Sequence, residues 1–188
     1  MSNRPSNRRP QRTAAGRPDA PTLTVWIYDS AMGAAAGEVR LRDLKERSAL
    51  KVHDAVTVTW IPGAHRPRIG HLRYETSPGA TRGSVLGALV GLIFISPTTG
   101  EVPVGSMAAL AQRLRGIGID QTFLEEFKAQ LGPDTSALLV LSGHADLDEV
   151  RPVIERGLAR GDVVLMHAQL PDAGLEVLIK AVHELQKP

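Results

Sequence analysis

The first half of the chain alternates between apolar patterns typical of strands and of a helix. Residues 23–29 (LTVWIYD) are rich in β-branched and aromatic side chains, and residues 55–60 (AVTVTW) alternate strictly, as strands do. Between them, residues 34–49 place apolar side chains three and four apart, which predicts a helix. After a turn at Pro62-Gly63, residues 68–75 predict a more polar strand. The predicted order is strand, helix, strand, strand.

The second half repeats a strand–helix–strand pattern. Thr122 and Glu125 have capping-box spacing and predict the start of a helix over residues 122–131. The continuous apolar run at 136–143 predicts a central strand, and residues 162–169 predict another. Asp146 and Glu149 predict a capped helix between these strands, and an amphipathic helix follows the second strand. The apolar side chains of the capped helix that are expected to face inward are Leu147, Val150, Ile154 and Leu158.

These two units, at 23–60 and 136–169, predict an α/β (α+β) fold: a ferredoxin-like αβ sandwich with an extra C-terminal helix. Residues 76–118 interrupt it with an apolar segment, GSVLGALVGLIFI, in which three glycines recur every fourth position. Glycines with this spacing lie on one helix face and allow another helix backbone to approach closely. A second, weaker helical arm follows at residues 105–114. The segment therefore predicts an inserted glycine-zipper helical hairpin.

The first apolar arm is short for a membrane span. From Val85 to Ile95 it would rise only about 16 Å as a helix, against a hydrocarbon core of roughly 30 Å. We therefore expect the hairpin to insert shallowly into a membrane or to pack against copies of itself, with a soluble buried hairpin as the alternative and a full membrane span the least expected. The residues expected to make this contact are Gly83, Gly87, Gly91, Leu86, Val90, Phe94, Gly105 and Ala109.

Basic residues flank the hairpin and form a candidate contact for anionic lipid. They are Arg66, Arg68, Arg73 and Arg82. Arg82 precedes the first arm, where headgroup phosphates would lie if the hairpin entered lipid. The alternative interpretation is a charged strand edge that discourages edge-to-edge aggregation.

Composition favours one globular domain preceded by a tail. The chain has 188 residues, with 43% hydrophobic and 22% charged side chains, which suits a single domain at 22–188 with its own core. Residues 1–21 hold five arginines against one aspartate, a net charge of +4, and little to bury, so a disordered tail is expected. The tail either solubilises the protein or contacts anionic lipid; nucleic acid is not an expected partner. The N-terminus has no apolar signal segment, so a cytoplasmic location is expected, either free or on the cytoplasmic side of a membrane.

Candidate chemistry is sparse. The chain has no cysteine, so disulfides, thiolate zinc sites and cysteine nucleophiles are excluded. None of the six histidines belongs to an HExxH motif, and His144 near Asp146 and Asp148 fits a loop entering a capped helix better than a metal site. Ser84 follows a glycine-containing loop that lacks the lysine of a phosphate-binding loop. No catalytic, cofactor or metal residue is expected.

Several segments together resemble one family. They are DAVTVTW, the lead-in LKERSALKVHDA, the hairpin arm GATRGSVLGALVGLIF and the segment GIGIDQTFLEEFKAQLGPDTSALLVL. Over about residues 23–169 they resemble the bacterial family called domain of unknown function 1269. The resemblance implies a membrane-associated protein of unknown activity. Here Glu101, Pro103, Gln112 and Arg113 interrupt the second apolar arm, which favours an interfacial or self-packed hairpin over a full span.

The sequence thus predicts a non-enzymatic, membrane-associated or self-assembling protein, a homo-oligomer whose contacts are made by the glycine-rich hairpin. The alternative is a soluble ferredoxin-like enzyme or small-molecule-binding protein in which the hairpin caps a cleft.

Overall fold

The structure, a computed structural model, describes residues 20–72, 84–94 and 106–185. Within these ranges the chain forms a five-stranded sheet and six helices. The strands are β1 (Thr22–Tyr28), β2 (Leu50–Thr59), β3 (Arg68–Leu72), β4 (Ser136–Ala145) and β5 (Val163–Gln169). The helices are α1 (Gly33–Glu46), α2 (Val85–Phe94), α3 (Ser106–Arg113), α4 (Gln121–Gln130), α5 (Leu147–Ala159) and α6 (Gly174–Leu185).

The sheet is antiparallel throughout, with the strand order β3-β2-β4-β1-β5. Strand β4 lies at its centre, and its first eight residues are all buried. This explains their continuous apolar run, because a strand covered on both faces has no polar side. The prediction of a central strand at 136–143 is confirmed.

One face of the sheet carries the larger hydrophobic core. Leu23, Val25 and Ile27, on alternate positions of β1, point to this face and are at most 4% exposed. Helices α2, α3, α4 and α6 cover it. The opposite face carries a smaller core, in which Tyr28 of β1 packs with residues of α1, β2 and β4.

Helix α2, the first arm of the predicted hairpin, is part of the larger core. Its inward residues Leu86, Leu89 and Val90 are at most 1% exposed. The side chain of Asp54 on β2 accepts hydrogen bonds from the backbone N–H of Leu86, at 2.8 Å, and from the Ser84 hydroxyl, at 2.9 Å. The Ser84 hydroxyl in turn accepts one from the N–H of Gly87 at 2.9 Å. The strand therefore caps the helix, and this cap fixes the start of α2 on the sheet.

Among the helices in the described ranges, none is both long and apolar enough to cross a membrane.

Two local predictions were wrong. Helix α4 is capped by Asp120, whose carboxylate accepts from the N–H of Phe123 at 2.9 Å, and not by Thr122. On α5, Leu158 does not face inward, because it is 45% exposed, whereas Leu147 is 50% exposed but borders the space between α5 and the sheet. The predicted cap of α5 at Asp146 is confirmed by hydrogen bonds from the N–H groups of Asp148 and Glu149.

Candidate functional site

The smaller core leaves an open cleft. Helix α1 packs closely on the sheet, but of the thirteen residues of α5, all of them described, only Gly157 is buried. Between α1, α5 and the strands lies a cavity of about 450 Å³. This volume falls within the range of small-molecule sites, roughly 300–1,000 Å³.

Three rows of side chains from β4, β1 and β5 form the floor of the cleft. Strand register aligns them as Leu138–Trp26–Leu165, Val140–Thr24–His167 and Ser142–Thr22–Gln169. The first row is apolar and the last is polar, so the floor changes character along the strand direction. His167 and Gln169 are exposed at the polar end, where the cleft opens to solvent.

The walls of the cleft come from α1 and α5, and each helix has a glycine where it approaches the floor. A β-carbon at Gly157 would lie 3.3 Å from Cζ3 of Trp26, so the indole ring lies against the α5 backbone. A β-carbon at Gly37 would overlap the Tyr28 hydroxyl, so the missing side chain of this glycine leaves room for the phenol under α1. The apolar wall residues are Leu41, Leu44, Leu147, Val150, Val153 and Ile154.

An ion pair joins the two walls at one end. Nη1 of Arg47, at the end of α1, lies 2.8 Å from Oε2 of Glu149 in the first turn of α5. Both side chains are about half exposed, so the pair contributes at most about 1 kcal/mol to stability. It therefore links the ends of α1 and α5 only weakly, and the cleft between them stays open.

The polar groups of the apolar end include Tyr28 and Arg40, and the charges of Arg160 and Asp162 also act on the Tyr28 hydroxyl. Burial raises the pKa of the Tyr28 hydroxyl, and the nearby Arg40, through its charge and a hydrogen bond, lowers it in part. The phenol therefore stays protonated at neutral pH and remains available as a donor. Arg40 is half-buried in the α1 wall, one turn beyond Gly37. The cleft thus has an apolar body and a cationic, hydrogen-bonding corner.

The predicted hairpin contacts lie on the other side of the sheet from this cleft. Leu86 and Val90 are buried in the larger core, and Phe94 packs edge-on against Trp60 and Phe127, with ring centroids 6.2 and 5.4 Å away. Ala109 on α3 is half-buried.

For the two described zipper glycines, no described atom of another helix is among those nearest to the position of the missing side chain. A side chain at Gly87 would first meet His71 of β3 and the Ser84 hydroxyl, and one at Gly91 would meet no described atom within 4 Å. Gly83 and Gly105 lie outside the described residues, so the glycine zipper stays a prediction.

The predicted lipid contacts are partly described. Arg66 and Arg68 are exposed at the edge strand β3 and its preceding turn, on which α2 also packs, while Arg73 and Arg82 lie outside the described residues. A shallow cavity of about 510 Å³ borders α3 and the α3–α4 connection. Its rim consists largely of exposed polar residues such as Arg115 and Asp120, so the cleft between α1 and α5 is the better candidate site.

Sequence reasoning missed the cleft residues Trp26, Tyr28 and Arg40. The available signals were the glycines inside two predicted helices, Gly37 and Gly157, because a mid-helix glycine costs about 1 kcal/mol relative to alanine. Each marks a close approach to an aromatic ring of β1. The described residues contain no group of three or more side chains that could hold a metal ion.

Comparison with protein families finds a match over more than half of the chain. A family model described as "Protein of unknown function (DUF1269)" matches residues 80–182. No curated protein and no solved structure matches the chain. The matched region contains α2 and the β4, α5 and β5 side of the cleft, while β1 and α1 precede it.

Proposed function

This chain belongs to the DUF1269 family of proteins of unknown function, and we propose that it binds an apolar small molecule in the cleft between α1 and α5. The observation that carries the proposal is the incomplete burial of α5. Its inward side chains Val150, Val153 and Ile154 stay only partly buried beside a cavity of about 450 Å³. Protein interiors are normally close-packed, so a gap of this size between apolar walls loses dispersion contacts that a bound molecule restores.

We expect the neutral fluorescent probe N-phenyl-1-naphthylamine to bind in the cleft. It has about 17 heavy atoms, and at about 0.4 kcal/mol per atom its binding free energy is ~7 kcal/mol. This corresponds to a Kd of about 10 µM. The probe brightens in apolar surroundings, so we expect saturable fluorescence enhancement at this concentration.

The test compares two substitutions on the same helix. Val153→Trp places an indole in the cleft, whereas Leu158→Trp changes an exposed residue that does not line it. We expect Val153→Trp to weaken probe binding at least tenfold and Leu158→Trp to leave it within twofold. Absence of saturable binding to the wild-type protein, or equal affinity for both variants, would overturn the proposal.

A second candidate function is association with another copy or with a membrane surface through α2. One observation favours it: α2 has no polar side chain, and Gly91 has no described atom within 4 Å of the position that a side chain would take. Val85, Ala88 and Leu92 on the same helix are only partly buried at the edge of the larger core. A small residue in an apolar surface permits close approach of a second helix, and Arg66 and Arg68 on and beside β3 supply positive charge near this surface.

This second candidate is tested by Gly91→Leu, with Gly132→Leu as the matched control. Gly132 also has open space around its missing side chain, but it lies in the loop after α4. If α2 is the contact, Gly91→Leu alone changes the mass measured by light scattering or lowers flotation with vesicles of anionic phospholipid. Equal behaviour of both variants and the wild type excludes this surface.

We also propose that the fold is ferredoxin-like with insertions. The strand order β2-β4-β1-β5, together with the placement of α1 and α5 on the same face of the sheet, supports this assignment.

A further inference from the structure

We infer that the ligand of the cleft is an anionic amphiphile, whose charged group pairs with Arg40 while its apolar body lies along Trp26. This inference rests on the proposed function and names the chemical class of the ligand. The class is an aromatic or acyl body with one carboxylate, sulfonate or phosphate group.

The ion pairs of the arginines on α1 give the first reason to expect an anionic ligand. Arg42 pairs with Glu38 at 2.8 Å, and Arg47 pairs with both Asp43 and Glu149. Arg40 is the arginine of this helix that lines the cleft, and within the ranges that the structure describes no carboxylate lies at ion-pair distance from it. A half-buried cation without an anion has lost part of its hydration and gained no counter-charge. A ligand anion would supply that charge.

The second support is the neighbourhood of Arg40. The Tyr28 hydroxyl hydrogen-bonds with it, and the Tyr28 residue as a whole is 6% exposed. A guanidinium offers a planar fork of donors that matches a carboxylate or phosphate, and a phenol adds one more donor. The nearby Asp162 is a carboxylate whose buried Oδ1 accepts no hydrogen bond from the described residues, but its charge is offset by Arg160, whose Nε lies 3.6 Å away.

The third support is the direction in which the cleft continues. From Tyr28 the floor runs past Trp26 and Thr24 to Thr22, a distance of about 20 Å at ~3.3 Å per residue. Leu138 and Leu165 flank Trp26, so the surface next to the cationic corner is apolar. The charged and apolar parts of an amphiphile therefore meet matching surfaces in one orientation.

The experiment uses a matched pair of probes on the full chain. 1-Anilinonaphthalene-8-sulfonate and N-phenyl-1-naphthylamine share one aromatic skeleton, and only the first has a negative charge. We expect Arg40→Gln to raise the Kd of the sulfonate probe at least tenfold and to leave that of the neutral probe within twofold. Arg42→Gln, which removes an exposed arginine of the same helix, should leave both unchanged, and Arg40→Lys should restore part of the sulfonate affinity.

The outcomes separate the two proposals. If neither probe binds the wild-type protein saturably, the cleft function itself fails. If both bind but Arg40→Gln changes neither affinity, or weakens both equally, the anion assignment fails and the apolar cleft stands. The salt dependence of binding tests the assignment on the wild-type protein without a variant. Between 0.05 and 0.5 M NaCl only the sulfonate probe should lose affinity. An equal salt response of both probes overturns the assignment.

Discussion

Replacing Leu89 by alanine tests whether α2 is part of the folded core or an arm free to leave it. Leu89 is 1% exposed and lies among residues of the larger core, so the substitution removes buried methyl groups and leaves a cavity. Such Leu→Ala changes cost 2–5 kcal/mol, and ~3 kcal/mol is a reasonable central value. For a domain of this size the loss lowers Tm by about 6–12 °C. It is also a large share of a total stability of about 5–15 kcal/mol.

The control lies on the same helix. Leu92 is only partly buried at the edge of the larger core, so Leu92→Ala should cost less, ~1–2 kcal/mol. Urea denaturation followed by far-UV circular dichroism measures both, with the slope of each transition compared to exclude a change in the unfolded state. If Leu89→Ala loses no more than Leu92→Ala, α2 does not stabilise the domain, and the reasoning about the larger core is refuted.

The contacts of Asp54, Tyr28 and Gly37 each predict a change in the free energy of unfolding. Asp54→Ala removes the cap on α2 and should lower the free energy of unfolding by ~1–2 kcal/mol in urea, whereas an unchanged midpoint would show that the cap is dispensable. Burial raises the pKa of Tyr28, so its protonated form stabilises the fold fully below about pH 10 and this stability is lost as pH rises through the folded-state pKa. Tyr28→Phe should therefore reduce the loss of stability between pH 9 and pH 11.5, and parallel curves for both proteins would contradict the assignment. Gly37→Ala should cost ~1–3 kcal/mol because its methyl overlaps the Tyr28 hydroxyl, whereas Gly91→Ala, with open space, should stabilise by up to ~1 kcal/mol; equal effects would contradict the packing at α1.

Much of the secondary structure was predictable because local patterns determine it. The run at 136–143 became the buried central strand, and Asp146 capped the following helix as its spacing indicated. The strand expected at 55–60 begins five residues earlier, at Leu50. Two register irregularities against β4 break the alternation there and hid its first half.

The surroundings of each helix were less predictable, because they depend on partners distant in sequence. The spacing of Gly87 and Gly91 indicated a helix-packing face, but in the fold Gly87 makes room for His71 of β3. The apolar pattern of α5 placed Leu158 inside, whereas the helix meets the sheet through Gly157 and Trp26.

The cleft was beyond sequence reasoning for the same reason. Its floor combines β1, β4 and β5, which meet only through strand pairing, and its walls combine α1 and α5, which are more than a hundred residues apart. Composition gave no sign of it, because apolar wall residues are the same types that fill a closed core.

The two indole N–H signals in a nitrogen-15 correlation spectrum report directly on whether an apolar molecule binds between α1 and α5. Trp26 lines the cleft, whereas Trp60 lies with the larger core and donates from Nε1 to the Ala64 carbonyl at 2.9 Å. Trp26→Phe and Trp60→Phe assign the two signals, and N-phenyl-1-naphthylamine is then titrated into the wild-type protein. If the probe binds in the cleft, the Trp26 signal shifts saturably and the Trp60 signal stays unchanged. A shift of Trp60 alone, or of neither signal at saturating probe, would contradict binding in the cleft.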